Sequence, residues 1–148
     1  MRAVGLAILA IAFASPEARA SATPKISGAY AVSYNEICQA GNPSNPTRGV
    51  GETYSQILVA AFDAKTKTVT FKGTSVNGPL TGPNVAPSRA AVDVASTAYS
   101  NTATTITIGK TTYDIVYGPV NADGVATSAA FGGVSDGGCA ASATALLQ

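Results

Sequence analysis

The sequence predicts an all-β protein, an antiparallel up-and-down β-barrel of about eight strands closed by one disulfide. Three observations carry that prediction. Short runs alternate large and small residues with period two. Turns rich in Gly, Pro and Asn separate them. Two cysteines, Cys38 and Cys139, lie near opposite ends of the part expected to fold. A β-sandwich built from the same strands is the alternative fold.

The first 20 residues read as an export signal. Arg2 supplies the positive start, and Ala3 to Ala14 is an apolar run too short to span a bilayer. Ser15-Pro16 breaks it, and Ala18-Arg19-Ala20 matches an A-x-A cleavage site. Cleavage after Ala20 places the protein in the periplasm or outside the cell. Removing residues 1–20 from 148 leaves 128, suited to a single domain over 21–148. Nine basic residues less Arg2 and Arg19, and eight acidic residues less Glu17, leave seven of each. The mature chain is thus neutral, and its cations are scattered singly. Without a basic stripe, nucleic acid is not an expected partner.

From Ile26 to Tyr34 the chain alternates cleanly, with Ile26, Gly28, Tyr30, Val32 and Tyr34 on one face. Ser55–Phe62 and Lys67–Gly73 form a hairpin around Asp63-Ala64-Lys65-Thr66. Ala90–Ala98 is a weaker strand, alternating only at Val92, Asp93 and Val94. Thr104–Ile108 and Thr111–Tyr117 flank Gly109-Lys110, a tight turn with Gly first. Val125–Phe131 follows the turn Asn121-Ala122-Asp123-Gly124, and Cys139–Leu147 is the last strand, although its alanines also suit a helix. Prolines exclude regular structure from two long connections, 36–54 and 74–89.

In an oxidising compartment a lone cysteine pair is expected to be a disulfide. A thiol nucleophile would need a base, and the chain has no histidine. With an even strand count, the first and last strands are antiparallel neighbours. Cys38 follows the first and Cys139 begins the last, so the bond staples the closing seam. Both long loops, the Gly109-Lys110 turn and the glycine-rich 132–138 segment then share the disulfide's end of the barrel.

Gly28-Ala29-Tyr30 resembles the G-x-W of lipocalins, with tyrosine in place of tryptophan. In that family the glycine permits close packing at the barrel base and the aromatic plugs it. The strand order is also similar, although the chain has no tryptophan and ends without the family's closing helix. Composition and layout resemble small exported bacterial barrel proteins. The resemblance implies a lipocalin-like barrel that binds a ligand.

Few residues invite chemistry. Without histidine, Ser-His-Asp and Cys-His mechanisms are excluded and the commonest zinc ligand is missing. Glu36, Glu52 and Asp136 fall near the loop-rich end and read as solvated loop charges rather than a glycosidase pair. Asn121–Gly124 shares a fragment of a calcium loop but lacks the remaining ligands. Tyr30, Tyr34, Tyr113 and Tyr117 either line a cavity or pack as core tyrosines, the second reading being preferred. With Tyr54, Arg48 and Arg89 they form the candidate ligand-binding set.

The expected role is therefore non-catalytic binding, with no cofactor and no metal. The barrel would hold a small apolar or amphipathic ligand, or an extracellular protein at its loop-rich end. A structural or interaction protein with a filled barrel, and a small outer-membrane barrel, are the alternatives. A monomer without membrane insertion is expected.

Overall fold

The computed structural model describes residues 22–38, 52–79, 87–135 and 138–148. The eight strands are β1 (Gly28–Ile37), β2 (Glu52–Asp63), β3 (Thr68–Pro79), β4 (Ser88–Asn101), β5 (Thr105–Ile108), β6 (Thr111–Tyr117), β7 (Ser128–Val134) and β8 (Ala140–Leu147). Each pairs with its sequence neighbour and β8 returns to β1, giving a closed barrel. The sandwich alternative is thereby set aside. The seam is fully antiparallel, from Tyr30 opposite Leu147 to Ile37 opposite Ala140.

The disulfide joins Cys38, one residue past β1, to Cys139, one residue before β8, with Cα atoms 4.6 Å apart. It braces the end of the seam where β1, β3, β5 and β7 finish and their successors begin. Alternation does most of the rest. Tyr30 and Val32 on β1, Leu58, Ala60 and Phe62 on β2, and Ala141, Ala143 and Ala145 on β8 all face the core. The alanines that also suited a helix are the inward row of the last strand. Small side chains there leave room for the large residues of β1 and β2.

Two turns are built as their residues dictate. Asp63 Oδ1 accepts hydrogen bonds from the amides of Lys65 (2.8 Å) and Thr66 (3.2 Å), and Lys67 takes the left-handed conformation that closes the hairpin. These amides hold the Asp63 carboxyl below the usual carboxylate range. At the β5–β6 turn Gly109 has φ +61°, which a tight turn with Gly first requires.

The strand boundaries differ from expectation at β1, β3 and β7. β3 runs on past Gly73 to Pro79, paired with β2 back to Glu52, inside the connections expected to be irregular. β1 starts at Gly28 and runs on to Ile37, past the polar pair Asn35-Glu36. Ile26 belongs instead to a strap, Pro24–Ser27, which crosses the barrel end opposite the disulfide. Lys25 donates its amide to Gly124 O (2.9 Å) and accepts from Ala126 N (2.9 Å). Consequently Val125 and Ala126 serve the strap rather than β7, which begins at Ser128.

Candidate functional site

The barrel is filled at the strap end. Phe62 packs edge-to-face between Tyr30 (centroids 5.6 Å apart) and Tyr99 (4.9 Å). The Tyr30 hydroxyl donates to Ala126 O (2.7 Å) and the Tyr99 hydroxyl to Ile26 O (2.6 Å), tying the aromatic plug to the strap. Burial raises the pKa of both tyrosines. The gap left around them is about 20 Å³, room for about one water.

Among the described residues, the disulfide end is open. A cavity of about 290 Å³ lies among the inward side chains of β1 to β7, near the lower end of the ligand-pocket range of roughly 300–1,000 Å³. Leu58, Phe71, Val92, Ile108 and Phe131 give it apolar walls. Tyr34, Glu36, Gln56, Thr97 and Tyr113 give it polar ones. Phe131 and Tyr113 lean together with centroids 5.6 Å apart.

Glu36 corrects the sequence reading of it as a solvated loop charge. Period two carries β1's inward face from Val32 through Tyr34 to Glu36, and Glu36 is only 3% exposed. Tyr34 donates its hydroxyl hydrogen bond to Glu36 Oε1. The Tyr34 pKa is pushed far above its ordinary value, first by burial, then by its bond to Glu36 and by Tyr113. Glu52 is half-buried and accepts from the Tyr54 hydroxyl (2.6 Å).

The candidate tyrosines divide between the two ends. Tyr34 and Tyr113 line the cavity. Tyr54 is half-buried at the start of β2, on the open end. Tyr30 is in the plug, and Tyr117 lies at the same end, donating to Thr102 O (2.7 Å) and accepting from Asn101 Nδ2 (2.8 Å). Burial raises the Tyr117 pKa too. Arg89 is exposed on the outer face of β4. Arg48, Asp136 and most of the two long loops lie outside the described residues. Glu36, Gln56, Phe71 and Val92 are among the cavity residues missing from the candidate ligand-binding set. Continuing the period-two frames of β1 and β2 toward the disulfide would have found the first two.

Ligand atoms of Glu36, Cys38 and Cys139 lie within 4.8 Å of one another. Both sulfurs are bonded to each other, so neither is the thiolate that metal binding needs. The turn at 121–124 is a hairpin turn: Asn121 Oδ1 accepts from the amides of Asp123 and Val125, both at 3.0 Å. In comparison with known proteins, no family model, no curated protein and no solved structure matches this chain.

Proposed function

We propose that this protein is an exported, non-catalytic binding protein that holds a small amphipathic ligand in the cavity at the disulfide end. The observation that carries this reading is the contrast between the two ends among the described residues: a plugged base, and a cavity of about 290 Å³ at the mouth. The ligand's apolar body would lie against Leu58, Phe71 and Ile108, and its polar group near Tyr34, Glu36 and Gln56. The size of the cavity suits a compact molecule rather than a long acyl chain. A buried disulfide fits an oxidising compartment, and with the leader at residues 1–20 it supports export to the periplasm or beyond.

The outer wall favours a water-facing barrel over a membrane one. Asn35, Lys72, Asp93 and Asp114 are exposed on outward faces, where a transmembrane barrel carries an apolar band. The lipocalin-like resemblance at Gly28-Ala29-Tyr30 points the same way. Gly28 has φ +99°, a Cβ there would come within 3.2 Å of Leu147 Cδ1, and Tyr30 plugs the base.

The test is native mass spectrometry of the protein purified from its own host, followed by extraction and identification of small molecules. The expected result is a stoichiometric adduct that denaturation releases. An environment-sensitive apolar dye should also bind, and Val92→Trp, which fills the cavity, should abolish that binding without unfolding the barrel. A protein that carries no adduct and binds no dye refutes the reading.

A further inference from the structure

We infer that the open edge of β4 pairs with the same edge of a second copy of this chain, about a two-fold axis at Ala91. β4 runs for 14 residues, but β5 for only 4. β5 reaches β4 at Tyr99–Asn101 alone, and Gly109 N donates to Ala98 O (2.8 Å) where that pairing ends. Upstream, Ser88–Thr97 meets β3 on one side and no strand among the described residues on the other.

A bulge bounds this edge. Val69 pairs with Thr97 and Phe71 with Val94, so Ala95 and Ser96 oppose the single residue Thr70. Before the bulge Thr97 and Tyr99 face inward; past it Val94 and Val92 do. Side-chain face and amide direction are linked in a strand. Tyr99, inward, donates its amide to Lys67 O beside β3, whereas Ala98, outward, offers its carbonyl toward β5. Past the bulge the outward residues are Arg89, Ala91 and Asp93, so their N–H and C=O groups point along the open edge.

The edge runs from Pro87, which has no amide to donate, to Ala95 at the bulge, and Ala91 is its midpoint. Antiparallel pairing centred there sets Arg89 opposite Asp93 of the second copy, twice over. It also sets the exposed Ala91, whose side chain is a single methyl, against itself. Within the chain Asp93 already lies across from Lys72 on β3. The outer face would then read Lys72, Asp93, Arg89 of the second copy, in alternating sign. Sliding the register by two residues either way removes both charge pairs. Sliding the axis by two residues sets Arg89 against Arg89, or Asp93 against Asp93. The interface is isologous and closes after two copies, which satisfies a strand edge that is otherwise a template for aggregation. This inference is independent of what occupies the cavity.

Sedimentation velocity on the full chain tests it. The wild type is expected at twice the monomer mass. Ala91→Pro is expected to halve that mass with an unchanged circular dichroism spectrum, because the Ala91 amide is directed away from β3. Arg89→Glu should also give the monomer, and adding Asp93→Lys to it should restore the dimer. A wild-type monomer, a dimer indifferent to both Ala91→Pro and Arg89→Glu, or higher assemblies without a dimer would each overturn the inference.

Discussion

Tyr34 donates its hydroxyl to the carboxylate of Glu36, two residues on along the same inward face of β1. The pair sits in a half-buried mouth, and both burial and the neighbouring carboxylate oppose ionisation of the phenol. Tyr30, Tyr99 and Tyr117 are likewise raised, mainly by burial. The stability linked to these groups is fully present below about pH 10, where the unfolded tyrosines still hold their protons. Above it the unfolded state binds fewer protons than the native one, so stability falls as pH rises. Chemical denaturation at a series of alkaline pH values should show that fall, and ultraviolet titration should show tyrosinate appearing late and together with unfolding. Tyr34→Phe should reduce the slope.

The disulfide closes a loop between residues 101 apart in sequence. Chain-entropy arguments give about 4–5 kcal/mol for a loop of that length. Cys38→Ser is therefore expected to lower the unfolding free energy by roughly that amount, with far-ultraviolet circular dichroism unchanged, because β1 and β8 remain paired along eight residues. Urea denaturation of the two proteins side by side checks both parts.

Gly73 lies where β3 leaves no room for a side chain against β2. A Cβ at that position would lie 2.0 Å from Ile57 O and 2.8 Å from Leu58 Cα, both backbone. Gly73→Ala should cost about 1–3 kcal/mol or more, the range for overpacking. Gly124 has φ +73° and open space around it, so Gly124→Ala should cost only about 1 kcal/mol, the conformational penalty alone. Thermal unfolding of both variants would separate the steric term from the backbone one.

Two phenylalanines one strand apart should behave differently. Phe62 is buried in the plug between two tyrosine rings, and Phe62→Ala is expected to cost about 3–5 kcal/mol. Phe71 faces the cavity and is only partly buried. Phe71→Ala should cost about 1–2 kcal/mol, little more than its own lost burial, and should enlarge the space available to the dye. Equal costs would mean that the mouth is packed as tightly as the base.

The strands, their order and the stapled seam were legible because period two, turn chemistry and an even strand count all agree. Tyr30, Val32, Val69, Ile106 and Ile115 reveal the inward frame on their own. Glu36 was not legible, because alternation assigns charges to the outside, and the hydroxyl of Tyr34 that donates to it becomes visible only in the fold. The β4 bulge was hidden for a different reason. Val92 and Val94 set one phase, Thr97 and Tyr99 the other, and reading either alone makes the strand look irregular rather than bulged. The strap was missed because Ile26 happens to match the phase of β1, while Pro24 and Gly28 interrupt the strand on either side of it. The mouth cavity depends on how far β2, β3 and β4 rise above β5, a difference in height that no local pattern carries.

The strap also bears on the order of folding. Pro24–Ser27 belongs to the first stretch of the domain to emerge, whether from a ribosome or from a translocation channel, yet its partners Gly124 and Ala126 come about a hundred residues later. β1 waits longer still for β8. The floor and the seam are therefore the last parts to lock. Such distant pairings cost loop-closure entropy before they return any stabilisation, which places this chain among the slow-folding β topologies. Until β8 arrives, the growing sheet stands as an open ribbon with the outer edge of β1 unpaired.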